Sequence, residues 1–260
     1  QPLHGFDTLG NAAAYNDPYA SLQRGLAEVH AAPAHLASRG RGVAVAVVDT
    51  GVDVTHPDLQ GRIAGVRNLV DRDPMQFGRD RHGTEVAGVI AAVANNHLGI
   101  VGVAPESTLH VYKACWHHER GGARCNSFTL ALALAASLDD GARVINLSLA
   151  GPADALLARL LRHALAQGRI VVAAVPPGGA LDGFPLGVPG VIAVDTSGGP
   201  ERSGVLQAPG RDIITTVPGG HYDFGSGSSL AAAHVSGVVA LLLATSEAPR
   251  PADMRALLES

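Results

Sequence analysis

The sequence has few aromatic residues, only two cysteines and no long apolar run. Aromatic residues make up 4% of its 260 residues. The longest apolar stretches, such as 238–244, fall far short of the roughly 20 residues that a membrane-spanning helix needs. Charge is scattered, with a net value of −4 and no basic stripe. These absences argue against a membrane-spanning protein and against a nucleic acid or an anionic membrane as partner.

Hydrophobic residues account for 47% of the chain, which is enough to bury a sizeable core. Runs rich in β-branched residues alternate with alanine-rich runs of helical length. Strands are predicted at 42–49, 108–114, 143–150, 169–175, 191–194 and 213–217, and helices at 82–94, 127–141, 153–168 and from Ser229 onward. Such alternation is typical of a three-layer α/β/α fold with a mostly parallel central sheet. We expect a single domain over 18–260, preceded by an N-terminal arm over 1–17.

Three polar residues lie where a sheet of this kind binds ligands, at strand ends and helix starts. Asp49 ends the strand 42–49, His82 begins the next helix, and Ser229 begins the last one. Taken singly, each has an ordinary structural explanation as a turn or helix-cap residue. Together, an acid, a base and a hydroxyl at one predicted edge are the groups of a nucleophilic hydrolase. In such an enzyme the imidazole takes the serine proton and the carboxylate fixes the imidazole tautomer.

The stretches around these three residues resemble the subtilisin-like serine proteases, or subtilases. The matching segments are VAVVDTGVDVTHPDL around Asp49, HGTEVAGVIAA around His82 and GSSLAAAHVSG around Ser229, and the opening NDPYASLQRGL resembles the thermitase branch. In the last motif Ser228 and Ala233 depart from the usual Thr and Pro. The resemblance implies a subtilisin-like fold and a serine endopeptidase that works through an Asp–His–Ser triad and an acyl-enzyme intermediate.

The resemblance also implies a substrate-binding strand. Ser148, Leu149, Ala150 and Gly151 match the family segment whose main chain pairs with an extended peptide. The family has glycine where Ala150 stands, so the extra methyl group is expected to narrow the side-chain pocket. His234, inside the last helix, is expected to be a packed structural residue and not a catalyst.

One departure from the family affects the oxyanion hole, the set of donors that stabilises negative charge during acyl transfer. The stretch VVAAVPPGG places Pro177 where the family has an asparagine donor, and proline has neither a side-chain donor nor a backbone N–H. The backbone N–H of Ser229 supplies one donor. Candidates for the second are the Ser228 hydroxyl, a backbone N–H near Gly178 and Gly179, or a water molecule. The alternative function is a weakly active or inactive subtilase-fold protein that binds or regulates.

The resemblance to the thermitase branch further implies a structural calcium ion, while no cofactor is expected for catalysis. The implied ligands are the side chains of Asp17, Asp58 and Asn96 and the backbone carbonyls of Ala94, Leu98 and Ile100. Oxygen ligands of these types are what a hard cation with six to eight ligands requires. The alternative is that Asp17 and Asp58 are turn residues beside prolines and that 95–96 is a polar loop.

Two cysteines, Cys115 and Cys125, flank a short loop after a predicted strand. We expect them to form a disulfide, because an exported protease works where disulfides persist. One alternative is a metal site formed by Cys115, His117, His118 and Cys125, since these are ligand types that zinc accepts. The other alternative is a pair of free thiols.

The expected partners are a peptide or protein substrate and a propeptide. We expect a monomer that binds no nucleic acid and does not span a membrane. The resemblance implies a secreted or periplasmic protein; no signal peptide is visible, so export would require that the signal has been removed. The chain ends soon after the serine helix, and C-terminal elements of the family are expected to be shortened or missing.

Overall fold

A computed structural model of the protein describes residues 15–71, 73, 77–117, 122–245 and 249–259. Within these residues the strands are β1 (Ala44–Asp49), β2 (Ile63–Asn68), β3 (Thr108–Lys113), β4 (Cys115–His117), β5 (Ala123–Cys125), β6 (Val144–Leu147), β7 (Ile170–Ala174), β8 (Ile192–Thr196), β9 (Val205–Ala208), β10 (Ile213–Val217) and β11 (His221–Gly225). The helices are α1 (Arg24–Glu28), α2 (Ala31–Ala34), α3 (Arg81–Ala91), α4 (Ser127–Asp139), α5 (Ala155–Ala166), α6 (Ser228–Leu243) and α7 (Met254–Leu258). None of the described helices is both long and apolar enough to cross a membrane.

Seven of these strands form a central sheet in the order β2-β3-β1-β6-β7-β8-β9. Every neighbouring pair in this sheet is parallel. Parallel neighbours need long crossover connections, and α3, α4 and α5 lie in the segments that connect β2 to β3, β3 to β6 and β6 to β7. The predicted mostly parallel sheet is confirmed.

The two faces of β1 show why helices cover the sheet on both sides. Val45 and Val47 belong to one core cluster, together with side chains of α3 and α6. Ala46 and Val48 belong to a second cluster, together with side chains of α4 and α5. Because successive side chains of a strand point to opposite faces, a strand covered on both faces needs an uninterrupted apolar run. The predicted three-layer α/β/α fold is confirmed.

Observed and predicted bounds differ by a few residues at several elements, and for one helix a side-chain cap explains the difference. The helix predicted over 153–168 is α5, which begins after Asp154, whose carboxylate accepts the Leu157 N–H at 3.0 Å. The predicted strand 213–217 is β10, but it pairs with β11 in an antiparallel hairpin outside the central sheet. A second hairpin, β4–β5, follows β3 directly and has no counterpart in the sequence-based prediction.

Candidate active site

Asp49 and His82 are joined by a hydrogen bond at the carboxyl edge of the sheet. Asp49 is the last residue of β1 and is 3% exposed, and His82 is the second residue of α3. The Nδ1 atom of His82 lies 2.8 Å from the Oδ1 atom of Asp49. The Thr50 N–H also donates to that oxygen, at 2.7 Å. Two donors thus hold the Asp49 carboxylate. The other ring nitrogen of His82, Nε2, takes no part in this hydrogen bond.

Two glycines allow close backbone contacts at the turn after β1. A Cβ atom built on Gly83 would lie 1.9 Å from the Gly51 carbonyl oxygen. Gly51 itself has a φ of +113°, and a Cβ atom there would lie 2.2 Å from the Phe77 carbonyl oxygen. A side chain at position 83 would push the start of α3 away from the turn after β1, whereas one at position 51 would meet the main chain at Phe77. Gly83 therefore permits the close approach of His82 to Asp49.

The charge of Asp49 is the main influence on the pKa of His82. It raises the pKa of His82 above the ordinary value of 6.5, and the hydrogen bond to Asp49 and the charge of Glu85 act in the same direction. Burial of the imidazole opposes this rise, because burial disfavours the charged form. The Oδ2 atom of Asp49 is buried and has no hydrogen-bond partner among the described residues.

Ser229 lies at the same edge of the sheet, as the second residue of α6. Gly227 precedes the helix with a φ of +152°, a conformation that favours glycine. The Ser148 hydroxyl donates to the Ser229 carbonyl oxygen at 3.2 Å, which ties the helix start to the segment after β6, the neighbour of β1. Among the residues that the structure describes, no hydrogen bond joins His82 to Ser229. The structure therefore joins Asp49 and His82 by a direct hydrogen bond, whereas Ser229 is related to them only by lying at the same edge of the sheet.

The predicted substrate-binding residues border a cleft beside this pair. Asp49 and His82 line a cleft of about 670 Å³, and all four residues of 148–151 line it as well. A second cavity of about 380 Å³ shares Ala150 and Gly151 with this cleft, and Pro177 also lines it. Ala150 therefore borders both the 670 Å³ cleft and the 380 Å³ cavity, and it carries a methyl group that a glycine there would lack.

The main chain after β6 has a free edge. Leu149 and Ala150 form no backbone hydrogen bond with any described residue. Gly151, in contrast, exchanges two backbone hydrogen bonds with Phe184, at 2.9 and 3.0 Å. An extended peptide could therefore pair with the main chain of 148–150, while Gly151 fixes the end of that segment.

A tight turn containing Pro177 follows β7. The Gly179 N–H donates to the Pro176 carbonyl oxygen at 2.9 Å, and Gly178 has a φ of +90°. Proline at the second position and a glycine of positive φ at the third are the features of a type II β-turn. The sequence Pro-Pro-Gly-Gly thus forms a defined turn at the position where we expected the oxyanion loop.

Two of the predicted second oxyanion donors already have acceptors. The Gly179 N–H is used within the turn, as described above, and the Ser228 hydroxyl donates to the Val175 carbonyl oxygen at 2.6 Å. The Gly178 N–H has no acceptor among the described residues. Of the protein donors named from the sequence, Gly178 is the one that is free.

Cys115 and Cys125 form a disulfide that closes the β4–β5 hairpin. The predicted disulfide is confirmed. The zinc-site and free-thiol alternatives are wrong, because neither sulfur is available as a thiolate. His117 lies in β4, whereas His118 lies outside the described residues. Both cysteines line the 670 Å³ cleft, so the disulfide holds one of its walls.

The side chains predicted to bind calcium come together from three segments. Asn96 donates its side-chain N–H to Asp58 Oδ1 at 2.8 Å and its backbone N–H to Asp17 Oδ1 at 3.2 Å. The other Asp58 oxygen accepts the Ile100 N–H at 2.9 Å. The residues whose carbonyls were predicted as ligands, Ala94, Leu98 and Ile100, belong to the same loop as Asn96. The three predicted side chains therefore lie together, and the predicted carbonyls belong to the loop that joins them.

The charge balance of this loop fits a hard cation. Asp17 and Asp58 are 4% and 0% exposed, and burial raises the pKa of Asp58. Neither carboxylate has a lysine or arginine partner among the described residues. No group of three or more carboxylate, imidazole or thiol side chains there could hold a metal, so a cation would also need amide and carbonyl oxygens. Asp17 ends the predicted arm, of which residues 1–14 lie outside the described part of the chain.

His234 is buried in α6, away from this chemistry. It is 3% exposed, and its Nδ1 atom lies 2.8 Å from the Leu230 carbonyl oxygen. Burial lowers the pKa of His234 to about 4. A Cβ atom built on Gly25 would lie 2.4 Å from His234 Nε2, so the imidazole is closely packed. These contacts suit the structural role expected for it.

Sequence reasoning missed Lys113 and Asp80, which lie beside the Asp49–His82 pair. Lys113 ends β3 and is 2% exposed, and it forms a close ion pair with Asp80, the residue before α3. The register of β1 and β3 places Lys113 opposite Asp49. The position of Lys113 beside the pair can therefore be inferred only when the order of the strands is known.

Comparisons with known proteins agree with this geometry. The model of the subtilase family matches residues 40–260. The chain is similar to a thermophilic serine proteinase from Bacillus sp. (strain AK1), at 38% identity over 212 residues that cover 77% of this chain and 52% of the relative. Thermitase from Thermoactinomyces vulgaris is 35% identical over 259 residues, which cover 94% and 90% of the two chains. An intracellular serine protease from Paenibacillus polymyxa is 37% identical over 241 residues, with coverages of 85% and 72%. The chain thus spans about half the length of the first relative and most of the length of the other two.

Proposed function

This chain belongs to the subtilase family of serine endopeptidases, and on that premise we propose that Asp49, His82 and Ser229 form its catalytic triad. The observation that carries the proposal is the 2.8 Å hydrogen bond between the buried Asp49 carboxylate and His82 Nδ1. In this arrangement the carboxylate keeps the imidazole proton on Nδ1, which leaves Nε2 free to accept a proton from Ser229.

Hydrolysis then proceeds in two stages. The Ser229 hydroxyl attacks the substrate carbonyl carbon, and His82 takes its proton and passes it to the leaving amine, which gives an acyl-enzyme. Water next attacks the ester carbon, with His82 again as the base, and the carboxylic acid leaves as Ser229 is regenerated. The imidazolium that forms in each stage is stabilised by Asp49, in keeping with the raised pKa of His82.

We assign the oxyanion hole to two backbone N–H groups. The first is that of Ser229, at the N-terminus of the 16-residue helix α6, where N–H groups point at an incoming negative charge. The second is that of Gly178, because Pro177 has no N–H and Gly179 and Ser228 already have acceptors. In subtilisin, loss of the usual amide donor costs about 10²–10³ in turnover. We expect the Gly178 N–H to recover only part of this loss, so turnover in this chain should be modest.

The substrate is a peptide or protein in extended form. Its main chain would pair with the free edge of 148–150, whose backbone groups are unpaired at Leu149 and Ala150. A side chain next to the scissile bond would enter the 380 Å³ cavity, which Ala150 borders and Pro177 also lines. The Ala150 methyl group favours smaller side chains there.

We also propose that a structural calcium ion binds at the loop that contains Asn96. The residues that would hold it are Asp17, Asp58 and Asn96, with the carbonyl oxygens of Ala94, Leu98 and Ile100. When bound, the ion supplies the positive charge that the two buried carboxylates lack. The ion takes no part in the reaction and would act by joining the segment around Asp17 to the loop.

The disulfide supports a location outside the cytoplasm. Cys115 and Cys125 are paired, and structural disulfides persist in oxidising compartments and are rare in the cytosol. We therefore propose that this protease acts on extracellular or periplasmic peptides and proteins.

The proposed function is tested by labelling with a fluorophosphonate probe and by cleavage of casein. Wild-type protein should be labelled and should cleave casein, whereas Ser229→Ala should do neither. Ser226→Ala is the matched control, because Ser226 is an exposed serine three residues away whose hydroxyl accepts the Asp212 N–H at 2.9 Å. Labelling of Ser229→Ala would contradict the triad. Labelling of the wild type without any cleavage of casein would contradict general endopeptidase activity.

A further inference from the structure

Lys113 is the only lysine in the 260-residue sequence, since all other residues among its 19 lysines and arginines are arginine. It is also deeply buried, with 2% of its surface exposed. A buried ammonium group is costly unless it is paired and hydrogen-bonded. The presence of the single lysine beside the catalytic edge of the sheet therefore requires a specific explanation.

One partner of Lys113 is the main chain that follows Asp49. The register of β1 and β3 places Lys113 opposite Asp49, and its ammonium group donates to the Thr50 carbonyl oxygen at 2.7 Å. Thr50 in turn donates its N–H to Asp49 Oδ1 at 2.7 Å. Its hydroxyl accepts the Gly83 N–H, from the first turn of α3, at 3.3 Å. Lys113 thus holds the residue that orients the catalytic carboxylate.

The second partner is Asp80, the residue that precedes α3. Lys113 Nζ forms a close ion pair with Asp80 Oδ2, and the two side chains are 3% and 11% exposed. The Asp80 carbonyl oxygen accepts the Thr84 hydroxyl at 3.1 Å, in the first turn of the helix. His82 lies two residues after Asp80. The ion pair therefore fixes the start of the helix that carries the imidazole.

The geometry suits lysine better than arginine. Both acceptors, the Thr50 carbonyl and the Asp80 carboxylate, are reached from one nitrogen atom. An ammonium group is a compact charge with three donors, whereas a guanidinium is a wide planar fork.

Neighbouring charges do not provide the same bridge. Arg81 pairs with Glu85 at 2.6 Å, within α3, and with Asp223 at 2.9 Å. His117 Nε2, from the disulfide-closed hairpin, lies 3.6 Å from the other Asp80 oxygen. Among the described residues, Lys113 is the cation that contacts both the turn after β1 and the start of α3.

We propose that Lys113 is a positioning residue, which bridges Thr50 and Asp80 and thereby holds Asp49 and His82 at hydrogen-bonding distance. The inference rests on the proposed function, because the group that it positions is the proposed triad. Lys113 acts through Asp49 and His82 and need not touch the substrate.

The central variant is Lys113→Met, which keeps the length of the side chain and removes its charge. We expect kcat to fall about 100-fold with little change in KM, since small misplacements of reacting groups have effects of this size. The hydrogen-bonded Nδ1 proton resonance of His82 should weaken or disappear in the same variant. Selective ¹⁵N labelling of lysine gives one ammonium signal in wild-type protein, and Asp80→Asn should shift it.

A double variant separates positioning from folding. Lys113→Met alone leaves the Asp80 carboxylate buried without its partner, which destabilises the fold. Lys113→Met/Asp80→Asn removes both charges and should recover much of the unfolding midpoint, but it should not recover kcat or the His82 proton signal. Recovery of kcat together with the midpoint would show that the pair acts on stability alone and would overturn the proposal.

The matched control is Glu106→Gln, which breaks the 2.8 Å ion pair with Arg41 before the other end of β3. It should leave kcat unchanged. The proposal also fails if Lys113→Met keeps both the wild-type kcat and the His82 proton signal. Failure of the proposed function is a different result, namely wild-type protein that cleaves no peptide; the proton and ammonium signals would still test the bridge in that case.

Discussion

The two sides of Ser229 offer different chemistry to a reacting peptide. On one side, Asp49 and His82 share a 2.8 Å hydrogen bond, supported by the close backbone approach at Gly83. On the other side, the turn 176–179 contains Pro177, which can donate no hydrogen bond. In the site that we propose, the proton-transfer groups are thus fully present, while the oxyanion groups lack a side-chain donor.

This difference leads us to divide the proposed site into two halves. The proton-transfer half is built from β1 and the start of α3, and the oxyanion half from α6 and the turn after β7. Helices α3 and α6 pack in one core cluster, whereas the turn meets α6 through the Ser228 hydroxyl, which donates to the Val175 carbonyl oxygen at 2.6 Å. A change in the turn therefore lowers transition-state stabilisation without disturbing the acid–base pair.

The largest effect is expected from breaking the proton-transfer half with Asp49→Asn. The amide presents an N–H to the imidazole and favours the wrong tautomer, so kcat should fall by about 10⁴. Peptide hydrolysis and circular dichroism on the same sample measure the loss and check the fold. Asp253→Asn, at an exposed ion pair near the C-terminus, should keep wild-type kcat. A loss of less than tenfold in well-folded Asp49→Asn would contradict the assignment of Asp49.

The opposite change is expected when the oxyanion half is completed with Pro177→Asn. If the amide reaches the oxyanion, kcat should rise by up to about 10²–10³ with little change in KM, because the gain exists mainly in the transition state. The second position of a type II turn accepts residues other than proline, so the turn should survive.

Pro177→Ala is the control for this variant, because it removes the proline ring and restores the backbone N–H, as Pro177→Asn does, without adding a side-chain donor. It should leave kcat close to the wild-type value. An unchanged or lower rate in folded Pro177→Asn would contradict the expectation that the oxyanion half is incomplete, and would mean that the Gly178 N–H fully compensates for the missing amide. Equal gains in both variants would mean that the new backbone N–H or the loss of the ring, and not the side-chain amide, raises the rate.

Much of the architecture is predictable from the sequence because it follows from periodicity. The run Ala44–Asp49 is apolar at every position up to the aspartate, and only a strand covered on both faces needs that pattern. The disulfide between Cys115 and Cys125 was expected from the exported location that the resemblance implies, and their closeness in sequence allows a small closed ring. The first inference depends on local order along the chain, and the second on the compartment.

The contacts across the edge of the sheet were not predictable in the same way. Lys113 reaches Asp80 across 33 positions of sequence, and the Ser228 hydroxyl reaches Val175 across 53. Nothing local to a lysine after a strand or to a serine before a helix specifies these partners. They follow from strand order and register, which the sequence determines only through the whole fold.

A smaller effect is expected at the loop around Asn96, which lies outside both halves of the site. Saturating calcium should raise the unfolding midpoint relative to protein in a chelator, by roughly 5–10 °C if the ion is present at about 100 times its Kd. Asp58→Asn should reduce this difference, while the exposed Asp253→Asn should keep it. A midpoint that does not depend on calcium would contradict the proposed ion, and the triad predictions would be unaffected.

The smallest expected effect is a shift in the midpoint of the pH dependence of kcat/KM, which tests whether the two halves act separately. Because Asp49 raises the pKa of His82 above 6.5, kcat/KM should increase with pH through a midpoint higher than 6.5, as the imidazole loses its proton and becomes the base. The stability that protonated His82 gains from Asp49 is full below 6.5 and is lost as pH rises through the raised pKa. Glu85→Gln should lower the midpoint slightly, since the charge of Glu85 contributes to the rise. Pro177→Asn should change the rate and leave the midpoint where it is; a shift of the midpoint in that variant would mean that the turn and the acid–base pair are coupled after all.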